Sequence, residues 1–285
     1  MERARTVVIS GASTGIGAAC ALHLDRLGFT VFAGVRREAD GELLKAEASP
    51  RLQPVLLDVT DSASIDRARQ LIASLVREAG LAGLVNNAGI AVAGPLEAVP
   101  IQDLRRQFEV NVIGQVAVIQ AFLPLLRKGR GRIVNMGSIA GRAAMPLMGP
   151  YSASKFALEA LTDALRLEVQ QWGIQVSIVE PGAIATPIWE KSGAKADELE
   201  ATTSGELKDL YAGVVAGVRA RVAEAAARAI PAEVVAQVVE HALTADRPKT
   251  RYLVGRDAKL RAIMVALLPD RLSDRLMTRI LNLPH

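Results

Sequence analysis

Residues 6–17 read Thr6-Val-Val-Ile-Ser-Gly11-Ala-Ser-Thr-Gly15-Ile-Gly17. A β-branched run, the composition of a buried strand, passes directly into a turn with three glycines and then into a helix-compatible segment. Glycine at such a turn reaches dihedrals closed to other residues, and it lets backbone N–H groups approach a pyrophosphate at the helix N-terminus. The spacing is G-x-x-x-G-x-G rather than G-x-G-x-x-G. Its place between strand and helix is the context that makes a dinucleotide site of it.

The same unit repeats along the chain. Apolar runs at 6–10, 30–35, 53–57, 83–86, 132–136, 175–180 and 251–254 read as strands. They are continuous rather than alternating, as a sheet covered on both faces requires. Helical periodicity fills 15–27, 62–78, 104–126, 151–171 and 232–244, with Asp61 as an N-cap and Gly80 as a stop. Repeated strand–helix alternation predicts an α/β, Rossmann-type doubly wound parallel sheet of about seven strands. Without a linker or an internal repeat, 1–285 reads as a single domain. Residues 187–230 form a strandless, charged, Ala-rich segment, and 256–285 a helical C-terminal extension.

Composition narrows the function. The chain has 285 residues, 50% hydrophobic and 22% charged, enough to bury a large core. A net charge of +4 comes from interspersed residues, and aromatics make up only 4%, so no nucleic-acid arm or base-stacking platform is expected. The single cysteine, Cys20, excludes an internal disulfide and reads as a small core residue. No His/Cys/carboxylate cluster has metal-ligand spacing, and His23, His241 and His285 fall on no motif. No apolar run approaches the length of a membrane span, and MERARTVVIS lacks the apolar region of a secretory signal, so a cytoplasmic chain is expected.

Further motifs follow in order: Asp58-Val59, Asn86-Asn87-Ala88-Gly89, Asn111, Ser138, Tyr151-Ser-Ala-Ser-Lys155, and Pro181-Gly182 with Ile184 and Thr186. Together with the glycine turn they resemble the short-chain dehydrogenase/reductase family over residues 10–187, and strand seven extends the match to about residue 255. VFAGVRR, YSASKFALEALTDALRLEV, RPKTRYLVG and the helical tail are similar to the branch of hydroxysteroid and retinol dehydrogenases. The resemblance implies nucleotide contacts from Gly11, Ser13, Thr14, Gly15, Ile16 and Gly17, with Asp58 and Val59 at the adenine. It also implies contacts from Asn87, Ala88 and Gly89 at the adenine ribose, and from Pro181, Gly182, Ile184 and Thr186 at the nicotinamide. Where NAD-preferring relatives place Asp, this chain has Val35, followed by Arg36 and Arg37. A guanidinium there pairs with a 2′-phosphate, so NADP(H) is expected over NAD(H).

Tyr151 and Lys155 lie one helical turn apart, on one face. A free phenol, with pKa near ~10, is poorly matched to neutral pH, and a neighbouring ammonium lowers it. The resemblance implies Tyr151 as general acid/base and Lys155 as its tuning partner and ribose ligand. It further implies Ser138 on the substrate oxygen and Asn111 as the anchor of a water relay. Ligands in this fold lie beyond the strand carboxyl ends, so 187–230 is expected to be a lid, with Trp189 and Met145 at the substrate. Small or apolar Ala140, Gly141, Ala143, Met145, Pro146 and Met148 suit a lipophilic ketone or alcohol, steroid-, retinoid- or lipid-like. Two alternatives stay open: a 3-oxoacyl thioester reductase, disfavoured by the tail, and a non-catalytic nucleotide sensor, disfavoured because Tyr151 and Lys155 are both present. Apolar residues on several sides of the helices at 104–126 and 151–171, with Phe156 and Leu158 read as outward, predict a homodimer or homotetramer.

Overall fold

A computed structural model describes residues 5–281 and 283; the expectations on residues 1–4 and on His285 lie outside it. Seven parallel strands form one sheet in the order β3-β2-β1-β4-β5-β6-β7. They are β1 (Thr6–Ile9), β2 (Thr30–Val35), β3 (Leu52–Leu56), β4 (Gly83–Asn86), β5 (Arg132–Met136), β6 (Gln175–Pro181) and β7 (Arg251–Val254). Strand order reverses between β1 and β4, which opens a crevice at their carboxyl ends.

Side chains of successive strand residues go to opposite faces, which explains the continuous apolar runs. Val7 and Ile9 join a core with helices α1 (Gly15–Arg26) and α9 (Ala232–Thr244). Val8, between them, joins a second core on the other face, with α3 (Ser62–Val76), α5 (Gly114–Gly129) and the end of α6 (Gly149–Val169). Phe122, buried at the centre of that second layer, would cost ~3–5 kcal/mol on truncation to alanine. Cys20 is buried in the first layer, and burial pushes its thiol up to about 12, an inert core residue as expected.

The helices depart from expectation in instructive places. The short α2 (Glu38–Ala46) carries too little apolar periodicity to be read from sequence. Asp61 caps α3 by accepting from Ala63 N at 2.9 Å, but the helix stops at Val76 because Arg77 turns to φ 48°. The helix expected at 104–126 runs from Ile101 to Gly129 as α4 (Ile101–Phe108), a π-turn (Glu109–Ile113) and α5. A π-turn inserts one residue into the helical ladder, and here it swings Asn111 into the interior. The run Ile101–Gly129 is also long and apolar enough to cross a membrane, contrary to the expectation of none; half of its most apolar window is buried within this fold. Leu158 is 1% exposed and so faces inward, correcting its reading as an outward residue, whereas Phe156, Leu161 and Leu167 on α6 and Ile113 on the π-turn remain exposed.

Residues 187–230 contain α7 (Ile188–Thr202) and α8 (Gly205–Ala227), held together where Arg219 meets Asp197 and Glu200, each at 2.6 Å. The tail forms α10 (Arg256–Leu267) and α11 (Asp270–Ile280). It then returns to α8, where Leu281 O lies 2.1 Å from the position a Cβ on Gly217 would take. Only glycine admits that approach.

Candidate active site

The crevice opens into a cavity of about 1500 Å³ bounded by the strand ends, the lid helices and the tail. At its floor, Gly11 and Gly15 adopt φ values of +64° and +59°. A Cβ on Gly11 would stand 2.7 Å from Ala88 Cα, and one on Gly17 would stand 2.2 Å from Gly11 O. The chain therefore folds tightly here, with the first turn of α1 at the crevice. That turn holds no acidic residue, and Thr14 makes no side-chain cap, so its N–H groups are left for an anion. Ser10 fastens the neighbouring strand: its hydroxyl accepts from the N–H of Asn87 at 3.0 Å and of Ala88 at 3.1 Å. Asn87 in turn donates to the carbonyls of Ser10 and Gly11. This cradle fits a dinucleotide pyrophosphate.

Ser13, Thr14, Gly15, Ile16, Arg36, Asp58, Val59, Asn87, Ala88, Gly89, Pro181, Gly182, Ile184 and Thr186 all line the cavity, as do Gly11, Ser138, Met145, Tyr151, Lys155 and Trp189. Three expected residues do not. Gly17 packs beneath the turn and Asn111 is fully buried. Arg37 points away from the cavity and binds Asp40 through Nε at 3.0 Å and Nη2 at 2.7 Å, because Asp40 lies in the first turn of the following helix. Arg36, exposed beside Asp58, is then the guanidinium left at the end of β2. Asp58 is pre-set by Thr60, whose N–H and hydroxyl donate to its carboxylate at 2.9 and 2.7 Å.

The reactive cluster sits where β5 and α6 meet. Ser138 follows β5 and caps a short turn by accepting from Ala140 N at 3.1 Å, which fixes its hydroxyl near the first turn of α6. Tyr151, in that first turn, has its phenol pushed up by burial, partly offset by a hydrogen bond with Ser138. Lys155 Nζ lies 5.7 Å from the Tyr151 ring centroid and donates to Met136 O at 2.7 Å. Burial drives its ammonium down to about 8, while Glu159 pulls the other way. Behind it, Glu159 meets Arg251 at 3.1 Å, and the fully buried Glu180 has Arg142 at 3.6 Å. Burial first, and then the neighbouring Glu180, push Glu159 up to about 7.

Asn111 clamps this geometry. Its Oδ1 accepts from Ile90 N at 2.9 Å, and its Nδ2 donates to Ile90 O at 3.0 Å and to Ser154 on α6 at 3.2 Å. Gln107, one turn earlier, holds the same loop by accepting from Val92 N at 2.7 Å. The side-chain amide of Asn111 is thus engaged by protein at both ends.

The model of the short chain dehydrogenase family matches residues 5–197, about two thirds of the chain. The protein is a short-chain dehydrogenase. Retinol dehydrogenase 5 of Mus musculus is 39% identical over 293 residues, spanning 98% of this chain and 89% of that protein. An NADPH-dependent 3-dehydrocapnine reductase of Ornithobacterium rhinotracheale is 36% identical over 277 residues, 95% of each chain. The crystal structure of a Burkholderia cenocepacia short chain dehydrogenase in complex with NADP superposes with a TM-score of 0.73 at 26% identity, covering 98% of both chains. Within the family the dehydrogenase belongs to the retinol and hydroxysteroid branch.

Beyond the strand ends, the dehydrogenase's cavity draws on residues that motif reading did not single out. Ile90 and Leu147 join the wall, Leu147 in a left-handed backbone conformation at φ 62°. Leu260, Arg261 and Met264 of α10 and Met277 and Ile280 of α11 close the far side. Tail residues at helical spacing were visible in the sequence; their contact with the cavity depends on the chain's return to Gly217. Gly141, Ala143 and Pro146 stand behind the wall rather than on it.

Proposed function

We propose that this dehydrogenase transfers a hydride between nicotinamide and the hydroxyl/ketone pair of a lipophilic small molecule, with NADP(H) preferred over NAD(H). The observation that carries the reading is the meeting of the Tyr151 and Ser138 hydroxyls beside the Lys155 ammonium, in a cavity whose far side is lined by Leu, Ile and Met. Bound reduced nicotinamide would supply the hydride, and the glycine turn with the first turn of α1 would hold its pyrophosphate.

In reduction, the Ser138 hydroxyl donates to the carbonyl oxygen and holds it against Tyr151. Tyr151 gives its proton to that oxygen as negative charge develops on it. Lys155 favours the phenolate left behind, because a cation beside a buried phenol opposes the burial that raises its pKa. Asn111 and Gln107 position the loop after β4 and hold the first turns of α6 in place. Arg36 favours the 2′-phosphate, a preference supported by its exposure and by the engagement of Arg37 elsewhere. Exposed Phe156, Leu161 and Leu167 on α6 and Ile113 on the π-turn favour pairing of two copies through these helices.

The test is nicotinamide absorbance in the presence of steroid, retinoid and long-chain ketones, with NADPH and NADH in parallel. Oxidation dependent on ketone and abolished in Tyr151→Phe supports the reading. Nucleotide binding without turnover of any member of the panel overturns it in favour of a sensor.

A further inference from the structure

Six arginines line the cavity. Arg219 is held by Asp197 and Glu200 and Arg221 meets Glu224, while Arg36, Arg105 and Arg106 are exposed to solvent. Arg261 differs in being partly buried without an ion pair. It lies on α10, lines the cavity, and among the described residues has no carboxylate at ion-pair distance. Its one hydrogen bond is from Nη2 to Ala143 O at 3.0 Å, which leaves most of its five N–H donors unused. Asp257, one turn earlier, is committed to Ala183 N at 2.8 Å. The Asp257 carboxylate still offsets part of the Arg261 charge through space, while Arg221 on α8 acts in the opposite sense.

The setting is rigid and close to the chemistry. Ala258 and Ala262 of α10 pack on Ile139, the residue after Ser138. Ala143, whose carbonyl Arg261 binds, stands just behind the wall in the segment between Ser138 and Tyr151. Burial lowers the guanidinium's pKa from its ordinary value, the signature of a cation held out of water without full compensation. Since a half-buried cation that faces an open cavity is stabilised when an anion enters, an apolar cavity with one such group discriminates between ligands by headgroup.

We propose that Arg261 is a binding point for an oxyanion on the substrate, so that the substrate is an anionic amphiphile whose ketone or hydroxyl lies near a carboxylate-, phosphonate- or sulfonate-like group. This deepens the oxidoreductase reading and rests on it for the position of the reacting carbon. Arg36, at the nucleotide end of the cavity, serves a different anion.

The test has a binding arm and a turnover arm. Decanoate, decylphosphonate and decan-1-ol are titrated calorimetrically into the NADP-loaded protein. Charge-assisted hydrogen bonding predicts that the anions bind roughly 10- to 100-fold more tightly than the alcohol. That advantage should collapse in Arg261→Gln and persist in part in Arg261→Lys, with melting curves to show that both variants fold. Which anion binds more tightly tells carboxylate from phosphonate. In the turnover arm, the ratio of kcat/KM for 5-oxodecanoate over its methyl ester should fall roughly tenfold or more in Arg261→Gln. Equal affinity of wild type for anion and alcohol overturns the proposal, as does a variant that weakens both alike. Anion binding through Arg261 without reduction of any ketone would sink the oxidoreductase reading and leave this site standing. Reduction of acid and ester at equal efficiency would do the reverse.

Discussion

Replacing Arg36 by alanine isolates the choice of nucleotide. Arg36 is exposed at the end of β2, and Arg37, the other cation there, is held by Asp40 through two hydrogen bonds. A 2′-phosphate at this position loses its nearest free guanidinium when Arg36 is removed. One charge-assisted contact contributes ~1.5–3 kcal/mol, so KM for NADPH should rise about 10- to 150-fold. The figure for NADH, which has no 2′-phosphate, should move far less. Initial rates with one ketone at low ionic strength measure the effect, since salt screens an exposed contact. Arg37→Ala serves as control and should leave the NADPH/NADH ratio of kcat/KM close to wild type. An unchanged ratio in Arg36→Ala, or an equal fall in Arg37→Ala, would refute the assignment. The carboxylate swap Val35→Asp is a poorer probe, because Val35 is 2% exposed and the new charge would be desolvated.

Three other outcomes are expected. Tyr151→Phe should lower kcat by roughly 10²–10⁴ while the nucleotide still binds, read by single-turnover kinetics and fluorescence titration; turnover within a few-fold of wild type would exclude Tyr151 as the proton donor. The raised pKa of Glu159 means that the folded state keeps a proton the unfolded chain has lost, so stability from this group is full below about pH 4.5 and lost as pH rises to about 7. Glu159→Gln should flatten that decline in denaturant titrations at stepped pH, and an unaltered slope would count against the raised value. Phe156→Lys with Leu167→Lys should shift sedimentation from dimer toward monomer, and a wild-type chain that sediments as a monomer at micromolar concentration would end the pairing proposal.

The sheet and the nucleotide floor were legible because their information is local. The β-branched run before Gly11 and the glycines after it state strand, turn and helix within twelve residues, and α9 matched its expected bounds at both ends. Tyr151 and Lys155 were legible because a helical turn is a fixed ruler. Arg37 was misread because motif position does not say which of two adjacent arginines a carboxylate three residues on will capture. Leu158 was misread because α6 carries apolar residues on several sides, and periodicity alone cannot say which side meets the protein. The π-turn has no signature in composition. The part played by Arg261 was invisible for another reason: it depends on where residues 256–281 return in space, and no local pattern encodes that.

The contact between Leu281 and Gly217 also orders events during synthesis. Domains fold from the N-terminal side as the ribosome delivers them, and the strands of this sheet are complete at Val254. The cavity gains its last wall only when Leu281 has emerged and settled on α8. Until then each nascent chain carries a finished nucleotide floor beneath an unroofed apolar hollow, a natural client for a chaperone and a ready place for lipid to lodge. A chain truncated after Val254 should therefore take up far more of a hydrophobic dye than the full chain.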